Sequence, residues 1–265
     1  MKVLGIVGSP RRERGLCHRL VSRVLEGAQF AGAQTEILYL RDESPAYCIH
    51  CGHSCFTSGE CIQEAEATAR SRRVEAADAL VLAAPVYVWQ VNGLTAAFFD
   101  KLRLSTGAWN RDAQHGRPAL GIAVAGGTGS GVFSALQSLY SWLCLWKYRP
   151  LEPLPVTRFN LNRALDEAPA LGKQLAQQKR HPFADAAELV AAYDQLRYMN
   201  YSHTDEFRWL AQEVWLTKQD DDGSVQICNK IGALIEEGRA LQAQGRLVEA
   251  ARCYIAAYRQ GVAAL

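Results

Sequence analysis

No apolar run in the 265 residues approaches the roughly 18–20 positions needed to cross a bilayer. The opening stretch MKVLGIVGSP is too short, and too soon broken by glycine and charge, to read as a secretory leader. The expected setting is therefore the cytoplasm, where thiols stay reduced. A marked excess of one charge sign is missing as well. Lys plus Arg number 29 and Asp plus Glu 27, a net +2, which argues against a general nucleic-acid binder or a membrane-surface protein. Residues 1–150 carry a net +4 and the remainder −2, so the first half modestly suits an anionic small ligand. Two nucleotide signatures are also lacking. There is neither a Gly-Lys-Ser/Thr P-loop nor a GxGxxG turn, which disfavours ATP and a Rossmann-bound dinucleotide.

What remains is an ordinary globular chain, 49% apolar and 21% charged. A chain this long buries enough surface to need no disulfide scaffold, so its eight cysteines call for another explanation. Lys2 to Val7 is a short apolar run stopped by Gly8-Ser9-Pro10, the pattern of a buried strand entering a turn. Leu20, Val21, Val24, Leu25 and Ala28 then recur at helical spacing. Further strands are expected at Thr35–Leu40, Asp78–Ala84, Pro118–Ala125 and near Leu151–Val156. Helices are expected over Glu64–Ala76, Leu94–Leu102 and Val132–Trp146. Strands alternating with helices imply βαβ units and a parallel sheet covered on both faces. Beyond about Phe159 the pattern is helical only. The segment Leu234–Arg259 resembles one tetratricopeptide helix pair, with Gly238, Gly245, Ala250, Tyr254 and Ala257 near the expected positions. A single pair is either a hairpin packed on its own chain or a twin subunit, or a docking module.

Three loops follow expected strand ends: Gly8–Gly15, Pro85–Trp89 and Gly126–Gly131. In open parallel sheets, ligands bind beyond the carboxyl ends of the strands. The first loop, GSPRRERG, leads into a helix and so offers backbone N–H groups and the positive end of a helix dipole. Ser9, Arg11, Arg12 and Arg14 add donors suited to phosphate, although a solvated basic turn has the same composition. Tyr87 and Trp89 either face a planar ligand or belong to the core.

Between the second strand and the next helix runs CIHCGHSCFTSGEC. Its thiols Cys48, Cys51, Cys55 and Cys61 are separated by two, three and five residues. Four thiolates this close can wrap a [4Fe–4S] cluster. Zinc held by these residues, with His50 or His53, and a bare redox-active thiol loop are the alternatives. Cys17, Cys144, Cys228 and Cys253 stand alone in helical stretches and read as packing residues.

Gly8-Ser9-Pro10-Arg11, Pro85-Val86-Tyr87 and the glycine loop together resemble the flavodoxin-like NADPH-dependent FMN reductases over roughly Met1–Val156. With its clustered cysteines, the chain is most similar to their iron–sulfur flavoprotein branch. The resemblance implies a doubly wound α/β fold with a five-stranded parallel sheet in the order 2-1-3-4-5. That domain would span residues 1–158, with the cysteine-rich loop at 41–61 and an all-helical extension at 159–265. It also implies FMN, with Ser9, Arg11 and Arg14 at its phosphate. Pro85, Val86, Tyr87, Val88 and Trp89 would line the isoalloxazine, with Gly126, Gly127 and Thr128 opposite. Family members carry Asn-Thr or Asn-Ser after the loop glycine where this chain has Leu16-Cys17, which leaves Arg14 or His18 as substitutes. A [4Fe–4S] cluster on Cys48, Cys51, Cys55 and Cys61, and a homodimer or homotetramer, are further implications. The branch usually has two residues between the second and third cysteine.

Three functions follow from this reading. The leading expectation is a cluster-bearing FMN oxidoreductase. It would pass electrons from ferredoxin or NAD(P)H to a small acceptor such as a quinone, an oxygen species or a ferredoxin. The second is an NAD(P)H-dependent FMN or quinone reductase without a cluster. The third is a redox-responsive interaction module that senses through the cysteines and docks through the tail.

Overall fold

The apolar run after Met1 forms β1 (Lys2–Val7), which lies near the middle of the sheet in a computed structural model describing residues 1–52, 54–102, 115–219 and 225–264. On one side β1 pairs in parallel with β2 (Gln34–Tyr39), and on the other with β3 (Ala79–Tyr87). A short antiparallel β4 (Gln90–Val91) folds back on the end of β3. Next to β3 comes β5 (Pro118–Ala125), flanked by β6 (Arg149–Pro150) and β7 (Leu154–Thr157), again parallel. Counting β6 and β7 as one interrupted strand, and setting β4 aside, gives the flavodoxin-like order 2-1-3-4-5. The interruption has a simple cause: Pro150, Pro153 and Pro155 supply no N–H to a ladder, and a strand with several prolines is best tolerated at a sheet edge.

Helices connect and cover the strands. They are α1 (Leu16–Phe30), α2 (Leu40–Glu43), α3 (Ser54–Ser58), α4 (Glu66–Glu75), α5 (Gly93–Lys101), α6 (Val132–Leu145), α7 (Leu161–Gln177), α8 (Ala186–Asp194), α9 (His203–Gln219), α10 (Val225–Ala243) and α11 (Leu247–Ala263). Strand alternation divides the core into two. Val3 and Val7 pack with Leu20, Val21, Val24 and Ala28 of α1 and with Ala164, Ala168 and Leu175 of α7. Leu4 and Ile6 face the opposite layer, with Phe98 of α5 and Leu136 and Leu139 of α6.

The second core continues without a break into the tail through Trp209, Leu210, Val214, Ile231, Ile235, Ala257 and Tyr258. Thus α7 covers the sheet beyond residue 158, and the later helices share the domain's own core. The tetratricopeptide-like pair, α10 and α11, packs on itself and on α9 of the same chain, with Ala250, Tyr254 and Ala257 buried. Among the described residues, no helix is long and apolar enough to cross a membrane.

Helices α1 and α7 approach at backbone contact. A Cβ added at Gly172 would lie 1.7 Å from the Val24 carbonyl oxygen, and one at Gly27 would lie 1.9 Å from that of Pro169. Backbone cannot rotate aside as a side chain can. Gly172→Ala is therefore expected to cost about 1–3 kcal/mol of stability, the usual range for overpacking. Urea unfolding measures this, and a loss below about 0.5 kcal/mol would show that the two helices separate freely.

Candidate functional site

Register places the three chemically loaded loops together. Val7 lies beside Ala83, and Ala84 beside Ala123, so β1, β3 and β5 deliver their following residues to the same edge of the sheet. The Gly8 N–H donates to the Ala83 carbonyl at 2.8 Å. Asn92, buried at the start of α5, donates from Nδ2 to the Gly8 carbonyl at 2.9 Å, and its Oδ1 accepts from Thr95 Oγ1 at 2.6 Å. The first and second loops are thereby stitched together by a residue that sequence reasoning overlooked. Its only signal was an asparagine directly before a helix, a position that ordinarily predicts a local cap.

In the first loop, Ser9 is buried and its Oγ accepts from the Arg11 N–H at 3.2 Å. One 3₁₀ turn, Arg12–Arg14, then leads into α1. Among the described residues no side chain caps α1, whose preceding residue is Gly15, so its first-turn N–H groups lack the usual side-chain acceptor there. A Cβ at Gly15 would meet Ser9 Oγ at 2.9 Å. The arginines divide by role. Arg12 pairs with Glu13 at 3.4 Å and Asp42 at 3.2 Å and sits 5.5 Å from the Tyr39 ring centroid. Arg11 and Arg14 are exposed, and among the described residues no hydrogen bond or ion pair engages either side chain. His18 has both ring nitrogens engaged, Nδ1 with the Tyr39 hydroxyl at 2.9 Å and Nε2 with Ser22 Oγ at 3.3 Å. Among the described residues Arg14 thus has an unengaged side chain, whereas that of His18 is engaged. Cys17 is buried, and desolvation pushes its thiol up to about 12.

The second loop is the end of β3 and a two-residue hairpin turn. Val88 and Trp89 both adopt left-handed backbone, with φ of 50° and 66°. A type I′ hairpin requires this, yet β-branched and bulky residues resist it, which is why no Asn-Gly signal marked β4 in the sequence. Strain of this kind is characteristic of functional loops. Pro85 is buried and Val86 half-buried, whereas Tyr87, Val88 and Trp89 are 48%, 96% and 43% exposed. The two rings are therefore not core residues. The Trp89 ring meets His203 of α9 edge-on at a centroid distance of 5.1 Å.

The third loop depends on glycine. Gly127, Gly129 and Gly131 have φ of 55°, 79° and 87°. A Cβ at Gly126 or Gly127 would meet no atom within 4 Å, so this part of the loop faces open space. The Thr128 carbonyl accepts from the Tyr258 hydroxyl at 2.8 Å. The Gly131 and Phe133 N–H groups donate to the two carboxylate oxygens of Glu206 at 3.1 and 2.9 Å. Both anchoring residues belong to the helical tail, and neither was anticipated from the sequence.

The cysteine segment is less ordered in its chemistry. Cys48 is exposed, Cys51 and Cys61 are half-buried, and Cys55 is buried. Among the described residues, no three His, Cys, Asp or Glu side chains are gathered as a metal site would need. His53, an alternative zinc ligand, lies outside the described residues. Cys61 nevertheless has a distinctive setting. The buried ammonium of Lys101 lies 3.3 Å from its sulfur and 2.9 Å from Gln63 Oε1. Burial raises the Cys61 thiol, but hydrogen bonds from the Gln63 N–H, Lys101 and the Glu64 N–H outweigh it, and the net shift is downward. The donor chemistry suits a thiolate-bound group, although the four sulfurs are not brought together.

Comparison with known proteins decides the family. The family model for NADPH-dependent FMN reductases matches residues 1–154. The chain belongs to this family. A protein of Archaeoglobus fulgidus named iron-sulfur flavoprotein is 33% identical over 102 residues, 38% of this chain and 46% of that protein. The chain thus spans just under half the length of that relative. One of the same name from Methanosarcina thermophila is 28% identical over 143 residues, 54% of this chain and 73% of that one.

Among solved structures, RosB with a bound 8-demethyl-8-formylriboflavin-5'-phosphate intermediate superposes with a TM-score of 0.53. It is 16% identical and covers 74% of this chain and 86% of its own. The azoreductase AzrA gives a TM-score of 0.52 at 16% identity, covering 66% of this chain and 100% of its own. At such identities these likenesses speak for the fold alone. The family match ends before α7, so Glu206 and Tyr258 lie outside the segment that defines the family.

The lowered Cys61 thiol has a measurable consequence. A depressed pKa means the reactive thiolate persists to lower pH. Iodoacetamide labelling of Cys61, followed by mass spectrometry across pH, is expected to show a midpoint below that of an ordinary cysteine. Lys101→Met should move the midpoint upward. An unchanged midpoint in the variant would remove Lys101 as the cause.

Proposed function

We propose that the chain binds FMN at the carboxyl edge of its sheet and works as a flavin-dependent oxidoreductase. It would move electrons from a reduced donor, NAD(P)H or ferredoxin, to a small acceptor. One observation carries this reading: a helix N-terminus without a side-chain cap and two arginines without a partner, among the described residues, lie on the same edge as a pair of exposed aromatic rings and an open glycine turn. An anion seat, a planar apolar wall and backbone donors are the features a flavin nucleotide requires. When bound, FMN supplies the hydride and electron chemistry itself.

The protein's part is to hold and orient. Ser9, Arg11, Arg14 and the first turn of α1 would hold the phosphate. Pro85, Val86, Tyr87, Val88 and Trp89 would form one wall, and Gly126, Gly127 and Thr128 the other. The tight turn at Val88–Trp89, which joins β3 to β4, would set the course of the first wall.

A [4Fe–4S] cluster on Cys48, Cys51, Cys55 and Cys61 forms the finer part of the proposal. It is supported by the names of the relatives and by the thiolate-favouring surroundings of Cys61. Such a cluster passes single electrons and would complement the flavin. The dispersed sulfurs favour a second reading, a reductase of the same fold with no cluster. Anaerobic purification with flavin, iron and sulfide analysis separates the two. FMN with about four irons per chain supports the first, and FMN without iron supports the second. A protein that binds no FMN contradicts both.

Two sets of variants sharpen the test. Arg11→Ala and Arg14→Ala should each weaken FMN binding by about 1.5–3 kcal/mol, the range for a hydrogen bond to a charged group. Titration by flavin fluorescence quenching reads this, and unchanged affinity in both would move the phosphate elsewhere. If iron is present, Cys51→Ser should abolish it while leaving FMN bound. Full iron content in that variant would rule out the ligand assignment.

A further inference from the structure

The glycine turn opposite the aromatic wall has an unusual weakness. Gly126, Gly127, Gly129 and Gly131 give it great conformational freedom, and an unfixed segment of this kind must be ordered at an entropic cost whenever a ligand binds. No side chain from the loop itself caps α6, whose flanking residue is Gly131. Order is supplied from outside. Glu206 is 1% exposed, and its two oxygens accept from the Gly131 and Phe133 N–H groups at 3.1 and 2.9 Å. Tyr258 holds the middle of the turn through the Thr128 carbonyl at 2.8 Å. Leu210 closes against Gly129, where a Cβ would meet its Cδ2 at 2.9 Å.

Helix α9 touches the opposite wall too. Its first residue, His203, packs against the Trp89 ring, and the Trp89 backbone in turn leaves no room for a Cβ at Gly131, which would lie 2.5 Å from the Trp89 Cα. One helix therefore contacts both the Val88–Trp89 turn and the glycine turn.

We infer that the helical tail is a working part of the flavin site, with Glu206 as the residue that positions the Gly126–Gly131 loop. This inference rests on the FMN reading. It assigns to α9 and α11 a task that lies outside the matched family segment. It also separates the two helix N-termini on this edge. The positive end of α6 is satisfied internally by a carboxylate, whereas that of α1 has no side-chain cap among the described residues and can receive a phosphate. Glu206 does not touch the ligand in this account; it acts through the loop.

The test uses the full chain and four forms: wild type, Glu206→Ala, Glu206→Gln and Tyr258→Phe. FMN affinity is measured well below the unfolding temperature of each. Amide hydrogen exchange is followed in the ligand-free proteins over residues 126–133. Glu206→Ala should weaken FMN binding tenfold or more and speed exchange in that segment, with exchange in β1 and β3 unchanged. Glu206→Gln, which keeps one acceptor, should fall between. It should also shift the flavin reduction potential upward, because removing a buried negative charge beside the loop favours the electron-rich reduced flavin. Tyr258→Phe should speed exchange around Thr128. If Glu206→Ala does not fold, the Gln and Phe variants decide.

Affinity within twofold of wild type, with unaltered exchange and potential, would overturn the inference while leaving the FMN reading intact. A wild-type protein that ignores FMN would overturn that reading, and with it the proposed role at a flavin site. The exchange data would then report only whether Glu206 orders the loop.

Discussion

The site depends on parallel strand register. Because β1, β3 and β5 run in the same direction and end within four residues of one another in register, three turns far apart in sequence emerge at one edge. Slipping one strand by a single residue would turn every buried valine and leucine to the wrong face, so the hydrophobic core enforces the alignment. Asn92 then converts adjacency into connection by bonding across to Gly8. The chemistry of the edge is therefore a consequence of how the core packs.

The two helix N-termini on that edge show how similar local geometry serves different ends. Both α1 and α6 begin after glycine and lack a local side-chain cap. At α6 a buried carboxylate from a helix 75 positions downstream fills the gap. At α1 the neighbours are Arg11 and Arg14, two cations with no described partner. Composition counts Arg12 with them, but its side chain is engaged by Glu13, Asp42 and the Tyr39 ring. The basic character of the loop is thus concentrated in two side chains.

Much of the fold was legible in the sequence because it follows from periodicity. The continuous apolar runs of β3 and β5 read as strands buried on both faces, and the helical spacing of Leu20, Val21, Val24, Leu25 and Ala28 marked the inner side of α1. What escaped notice depends on contacts that no local pattern encodes. The turn at Val88–Trp89 is held open against residue preference by its surroundings, and the interrupted fifth strand reflects prolines whose effect depends on their edge position. Glu206 and Tyr258 looked like members of ordinary amphipathic helices, since nothing in a helix announces that one buried carboxylate serves a distant loop. The clustered cysteines were legible as a motif. Their spatial relation was not, because spacing along a chain does not specify where four sulfurs settle.

In the proposed arrangement one sheet edge seats FMN, with its phosphate at α1 and its ring between the Tyr87–Trp89 wall and the Gly126–Gly127 turn. A crystal structure of the full chain soaked or grown with FMN tests this most directly. Phosphate density is expected within hydrogen-bonding distance of the first-turn N–H groups of α1 and of Arg11 or Arg14, with the isoalloxazine between those two loops. Flavin bound at another surface, or an edge that stays empty at saturating FMN, would contradict it.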